Sequence, residues 1–260
     1  MINFFPSRQV ALSIYHLDIH WYGLLYLLAF LIAYFSLPIL NRWRKTKLKH
    51  EDFASILTWS VFGVLIGGRL GFVFLYEPVY FSQHPLDIFK VWEGGMSSHG
   101  GFAGVVILIS FVLWQRNFSI LRVADIVVIP AAIGLALGRL GNLINQELYG
   151  TVSTLPWAME FSTAEGLRHP LQIYGIIKDL SIAMICYYYL RRKPFVPGRT
   201  FALFLILYGT LRFLLEYIRD QQHSLFDIGF IILTRGQVYT LPILFFGLFL
   251  WWKRKDAYEK

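Results

Sequence analysis

Long apolar runs separated by short polar connections dominate this chain. Seven such runs, at 21–40, 53–76, 96–114, 123–143, 171–190, 201–218 and 237–252, recur along its whole length. A helix needs roughly 20 residues to cross a hydrocarbon core of about 30 Å. The first, second, fourth and fifth runs reach that length, and the third and seventh are read as short spans. The pattern predicts an all-α integral membrane protein with about seven transmembrane helices. The first residues lack a basic patch followed by an apolar core and a cleavage site, so the first run is expected to serve as its own insertion signal. No linker rich in Gly, Ser or Pro divides the sequence, and residues 1–260 are expected to form a single polytopic domain. The longest polar connection, about 145–170, is expected to fold as a small external cap. A second external stretch, 219–236, holds the apolar run 226–233, expected to lie along the outer interface. Gly63, Gly67 and Gly71 fall four apart, as do Gly134 and Gly138, which reads as close helix packing.

Composition agrees: 56% of residues are hydrophobic, 18% aromatic and only 15% charged, far from the balance of an ordinary soluble domain. The net charge of +8 brings nucleic acid to mind, but its distribution argues for topology instead. Fifteen basic residues occupy one set of alternate segments: Arg42, Arg44, Lys45, Lys47 and Lys49; Arg116 and Arg122; Arg191, Arg192, Lys193 and Arg199; and Lys253, Arg254, Lys255 and Lys260. The other set carries five, Arg8, Lys90, Arg168, Arg219 and Arg235. Basic loops stay in the cytoplasm. The N-terminus is therefore expected outside and the C-terminus in the cytoplasm, and no nucleic-acid partner is implied. The one cysteine, Cys186, lies mid-span with no neighbouring base or cation to lower its pKa, which reads as buried packing.

With that orientation the intramembrane polar groups fall into one layer near the outer leaflet. Arg69, Arg139 and Arg212 sit in the outer halves of outward-running spans. His99, Gln172, Lys178 and Gln237 lie toward the outer side or middle of inward-running ones, and Tyr22 begins the first span at the same level. An arginine near the bilayer centre costs about 2.5–3.5 kcal/mol on insertion scales, so three at similar depth call for compensating anions. Glu147 and Glu216 are available. Glu216 stands four residues after Arg212, and Tyr208, Arg212 and Glu216 share one helical face. A surplus of guanidinium suits an anionic lipid phosphate, which it binds through paired hydrogen bonds. An internal salt-bridge network holding helices together is the alternative. His99, between the glycine pairs of GGMSSHGG at 94–101, is either a base for an incoming nucleophile or a hydrogen-bonded structural residue. No zinc spacing such as HExxH, no P-loop and no dinucleotide fingerprint occurs, so neither metal nor cofactor is expected. A lipid or anion transporter is a rival reading. It would carry polar groups on into the inner halves of the spans, and those halves are nearly bare.

Several blocks then resemble one family along essentially the whole chain. GRLGNLINQELYG at 138–150 matches the signature GRxGNxxNxExxG of the phosphatidylglycerol–prolipoprotein diacylglyceryl transferases of the bacterial inner membrane. HWYGLLY at 20–26, GGRLG at 67–71, VWEGGMSSHGG at 91–101, HPLQIYG at 169–175, YGTLRFLLEYIR at 208–219 and GQVYTLPI at 236–243 support it. The resemblance implies transfer of a diacylglyceryl group from phosphatidylglycerol to the lipobox cysteine of a preprolipoprotein signal peptide, with the active site facing the outer leaflet among membrane lipids. At matching positions it implies His99 as base and Arg139 and Arg212 as phosphate partners. Tyr22, Asn142, Glu147 and Gly150 would frame the site, Tyr208 and Glu216 would position Arg212, and Arg69 joins the substrate-binding set. Leu143, Ser98 and Gly175 depart from the family pattern, which favours phenylalanine, an aromatic and an acidic residue there.

Overall fold

The computed structural model describes residues 9–15, 17–192, 195–220, 226–227 and 232–254. Among the described residues there are eight α-helices: α1 (Trp21–Asn41), α2 (His50–Leu75), α3 (Pro78–Gln83), α4 (Ser98–Gln115), α5 (Ile120–Ile144), α6 (Leu171–Leu190), α7 (Arg199–Leu215) and α8 (Arg235–Lys253). Each of the seven apolar runs becomes one of the long helices, with ends shifted by a few residues. Among the described residues five helices are long and apolar enough to cross a membrane: α1, α2, α5, α6, and α7 with its short continuation to Ile218. Within α4, Gly100–Gln115 is a shorter apolar stretch. Large apolar side chains stand on the outer faces of these helices, Phe74 at 68% and Trp252 at 73% exposure among them. In water so much exposed apolar surface would aggregate; against lipid it is solvated.

Among the described residues are three antiparallel two-stranded ribbons, which the apolar pattern did not announce. They are β1 (Val10–Ile14) with β2 (Leu17–His20), β3 (Met159–Glu160) with β4 (Leu167–Arg168), and β5 (Phe226–Asp227) with β6 (Ile232–Leu233). Apart from those last two strands, the run 226–233 lies outside the described residues. The 145–170 connection is folded: Tyr149 donates to the Thr163 carbonyl at 3.1 Å, and the Gln146 side chain accepts from Ser162 N at 2.8 Å.

The chain divides into two compact units, residues 1–44 with 124–260, and residues 45–123. In the second unit α2 and α4 pack backbone to backbone. A Cβ at Gly63 would lie 2.6 Å from Val105 Cα, at Gly71 2.6 Å from Gly100 Cα, and at Gly104 2.8 Å from Gly67 Cα. The expected packing role of Gly63, Gly67 and Gly71 is therefore met. Gly134 and Gly138 behave differently. Their nearest neighbours would be Ala29 Cβ at 3.4 Å and the Tyr22 hydroxyl at 4.0 Å, ordinary contacts that do not demand glycine.

In the first unit a buried ion pair staples one end of the bundle. Arg44 Nε meets Asp125 Oδ2 at 3.0 Å, with the two side chains 1% and 0% exposed. Arg44 also donates to the Leu190 carbonyl at the end of α6 (2.8 Å) and to Thr200 Oγ1 (2.7 Å). Asp125 accepts from Gly198 N and Phe201 N, both at 2.9 Å. Helix α7 has no side-chain cap of its own, since Gly198 stands at its N-cap with φ of 88°. Asp125, reaching across from α5, satisfies its first amides instead. The partner of Asp125 stands 81 positions earlier in the chain, so no local pattern signals the pair.

Candidate functional site

At the other end of the first unit the helix termini bring the remaining polar residues together. The last turns of α5 present Arg139 and Asn142, three residues apart and so on one face. Arg139 Nη1 reaches Asn142 Oδ1 at 3.5 Å, and Asn142 Nδ2 donates to Glu147 Oε1 at 2.8 Å. Helix α5 ends in a tight reversal, with Gln146 and Leu148 at φ of 57° and 58°, which turns Glu147 back toward Asn142. Gln172, in the first turn of α6, donates through Nε2 to the Glu147 carbonyl at 2.7 Å. Gly175 lies one turn on, where a Cβ would sit 3.0 Å from Arg139 Cγ and Cδ. The family's frequent acidic residue is replaced here by space that Arg139's methylenes occupy.

Tyr22 lies across Gly141: a Cβ there would be 2.6 Å from Tyr22 Cδ2. The signature's second glycine is thus required by a tyrosine ring from α1. Gly150 is where three segments cross. Its amide donates to the His169 carbonyl at 2.9 Å, it bridges Arg219, and a Cβ would lie 2.7 Å from both His169 Cβ and the Ile218 carbonyl. Any side chain would push these segments apart.

Tyr208, Arg212 and Glu216 do share a face of α7, and Arg212 pairs with Glu216. Glu216 also receives Arg219 Nη1 at 3.6 Å and lies flat on Gly236 in the first turn of α8, where a Cβ would meet its Cδ at 2.6 Å. A carboxylate at that helix start gains from the helix dipole as well. Lys178 pairs with its sequence neighbour Asp179 and sits over the Tyr208 ring at 4.5 Å. It also lines a groove of about 370 Å³ between α6 and α7, beside Tyr174, Ser181 and three leucines of α7. Adjacent helical residues do not ordinarily face each other, so nothing in the sequence signalled the Lys178–Asp179 pair. Arg139 and Arg212 both lie near enough to Lys178, Asp179 and Tyr208 to interact with them electrostatically. Arg139 has no carboxylate partner among the described residues, its one hydrogen bond going to an amide oxygen. Here the cationic surplus is real and lies on a half-buried guanidinium.

The second unit holds Arg69 and His99. Arg69 is buried, and its guanidinium is compensated by carbonyls: Ile88 at 2.9 Å, Gly94 at 2.6 Å, Gly95 at 3.2 Å and Asp87 at 2.5 Å. It also lies over the Phe81 ring at 5.1 Å. The anion expected beside Arg69 is therefore replaced by a backbone cage that fixes residues 87–95. Asp87's carboxylate turns the other way, and hydrogen bonds from Lys90 and then Tyr80 hold its pKa below the usual aspartate range. His99 is in the first turn of α4, behind the Ser97 cap, whose Oγ accepts from Gly100 N at 3.2 Å; the His99 side chain lies outside the described residues. Of the glycines flanking it, Gly100 packs against Gly67 and Gly71, while Gly94 and Gly95 adopt φ of 87° and 70°. Helix packing and turns account for these three glycines.

Fold and site together define a multi-pass α-helical membrane protein with a cationic cluster at one end of its helix bundle. A family profile of prolipoprotein diacylglyceryl transferases matches residues 9–253. Related proteins named phosphatidylglycerol–prolipoprotein diacylglyceryl transferase include one from Bordetella avium, 38% identical over 96% of this chain and 96% of the relative. One from Legionella pneumophila strain Paris is 36% identical over 98% and 100%, and one from Zymomonas mobilis 41% identical over 90% and 83%. The chain belongs to the prolipoprotein diacylglyceryl transferase family.

Proposed function

We infer that this membrane protein transfers the diacylglyceryl group of phosphatidylglycerol to a prolipoprotein, the first step of lipoprotein maturation. The acceptor is the lipobox cysteine of the signal peptide. Its sulfur attacks the glyceryl carbon that bears the phosphate ester; a C–S bond forms, the C–O bond breaks, and glycerol phosphate leaves with the electron pair. The thiol proton must go to a base, and the charge growing on the leaving phosphate must be stabilised. Arg139, with no carboxylate in ion-pair contact among the described residues, is the observation that carries this reading, because it leaves a guanidinium fork for phosphate. Arg212 is the second phosphate partner, oriented by Glu216 at its back. Tyr22, Asn142 and Glu147 hold Arg139's surroundings, and Gly150 keeps the 167–169 and 218–220 segments close. Tyr208 shares its helical face with Arg212 and holds Lys178 over its ring.

His99 is the base in this scheme, a role supported by the block VWEGGMSSHGG in which it stands. Arg69 acts at one remove, holding the chain at 87–95 that leads into α4. The protein lies in the bacterial inner membrane with its N-terminus outside, C-terminus in the cytoplasm, and the 145–170 cap and cationic cluster on the outer side. The fifteen-to-five asymmetry of basic residues supports that orientation. The test is to incubate purified protein with phosphatidylglycerol and a lipobox peptide. The peptide should gain the mass of one diacylglyceryl group, on sulfur, with release of glycerol phosphate. An unchanged peptide mass would refute the assignment.

A further inference from the structure

Two glutamines in the first unit each carry one buried amide atom without a hydrogen-bond partner among the described residues: Gln172 Oε1 and Gln237 Nε2. Gln172 is 1% exposed and Gln237 0%. A buried polar atom left unpaired is destabilising, so such atoms are uncommon unless something else completes them. Their chemical identities are fixed by the other half of each amide. Gln172 Nε2 donates to the Glu147 carbonyl at 2.7 Å, which leaves its oxygen as the unpartnered acceptor. Gln237 Oε1 accepts from Thr234 N at 3.0 Å in the cap of α8, which leaves its NH2 as the unpartnered donor. Reversing either amide would set oxygen against oxygen or nitrogen against N–H.

Their positions matter as much as their chemistry. Gln172 stands one turn before Gly175, on which Arg139's methylenes lie, and it is bonded to the segment that carries Glu147. Gln237 follows Gly236, against which the carboxylate of Glu216 rests, and that carboxylate holds Arg212. A spare acceptor thus stands one turn before the glycine that Arg139 covers, and a spare donor next to the glycine that Arg212's partner Glu216 covers. Neither atom is charged, so neither is suited to the phosphate itself. A hydroxyl group both donates and accepts, and phosphatidylglycerol differs from other phospholipids in ending in a neutral glycerol with two hydroxyls. The third buried orphan, Arg199 Nε, is a cationic donor at the opposite end of α7 from Arg212, over the Trp251 ring at 4.3 Å, and does not share this setting.

We propose that Gln172 and Gln237 recognise the headgroup glycerol of the lipid donor, Gln172 accepting from one hydroxyl and Gln237 donating to one. They are specificity residues: they select the lipid by its leaving group and act on neither the sulfur nor the phosphate. The proposal rests on the transferase reading, and a site built to bond a hydroxyl discriminates strongly against the analogue lacking it. The experiment compares phosphatidylglycerol with phosphatidylpropanol, whose headgroup keeps the three carbons but not the hydroxyls, as donors to one lipobox peptide. Both donors yield the same thioether. The readout is the ratio of kcat/KM for the two lipids, which does not depend on how much of a variant is correctly folded.

The unaltered protein should prefer phosphatidylglycerol by roughly tenfold to a hundredfold for each hydroxyl recognised. Gln172→Met and Gln237→Met should each lower that preference about tenfold or more. Gln237→Glu, which keeps the capping oxygen and removes the donor, should lower it as Gln237→Met does. Equal use of both lipids by the unaltered protein would overturn the proposal, the orphan atoms then belonging to fixed water. Variants that slow both lipids in equal proportion would overturn it too, since that is the mark of a purely structural glutamine. No thioether from either lipid with the unaltered protein would instead refute the transferase reading on which the proposal stands.

Discussion

Replacing Asp125 with alanine tests whether the buried staple holds the first unit together. The substitution removes the 3.0 Å partner of Arg44 and the acceptor of the Gly198 and Phe201 amides. Arg44 would remain 1% exposed with no carboxylate in reach, and α7 would begin with two unpaired amides. Breaking a buried pair from one side costs about 3–5 kcal/mol, and a lost helix cap about 0.5–2 kcal/mol. The two overlap here, because one side chain does both, so about 4 kcal/mol is expected. That is a large share of a typical folding free energy of about 5–15 kcal/mol. Asp125→Asn keeps an oxygen for one amide and should cost less, about 2–3 kcal/mol on the same grounds. Arg44→Met should match Asp125→Ala. The double variant should be little worse than either alone, since the stranded charge is then gone. The assay is reversible unfolding in mixed micelles by rising dodecyl sulfate, followed by tryptophan fluorescence. Single variants within about 1 kcal/mol of the unaltered protein would refute the reasoning, as would costs that simply add.

At the α2–α4 crossing, Gly104→Ala should lower the midpoint of thermal unfolding and reduce activity, since its Cβ would press on Gly67 Cα at 2.8 Å. Gly23→Ala, with nothing within 4 Å, should be neutral or slightly stabilising; equal effects would contradict the close packing. Arg139→Lys and Arg212→Lys should each lower turnover roughly a hundredfold to a thousandfold, because an ammonium lacks the planar fork, and near-normal rates would remove the phosphate role. His99→Gln should lower turnover while phosphatidylglycerol binding, measured alongside, persists; joint loss would make His99 a pocket-shaping residue. Cys186, fully buried, should tolerate alanine with most activity retained, and complete loss in a folded variant would point to a covalent enzyme intermediate. Reporter fusions at Lys47, Lys193 and Lys255 should read cytoplasm, and at Ser82, Thr163 and Ser224 outside. An outside signal at Lys193 would overturn the orientation.

Helix positions were legible in the sequence because the bilayer imposes one length and one polarity on any spanning segment. The seven runs became seven long helices for that reason. The family was legible because GRLGNLINQELYG and its companions stand in order along the chain. The Tyr208, Arg212 and Glu216 face was also legible, since spacing by four places residues together within one helix. What the sequence left open needed partners far apart in the chain. Nothing local to Asp125 names Arg44, and nothing near Gly141 names the Tyr22 ring that requires it. Arg69 looked like another phosphate ligand, because a sequence shows which charges exist but not that four carbonyls enclose one of them. Gln172 and Gln237 were visible as polar residues at the right depth. Only the fold decided which atom of each amide is already bonded and which is spare, because that depends on hydrogen-bond geometry at helix ends brought together by packing.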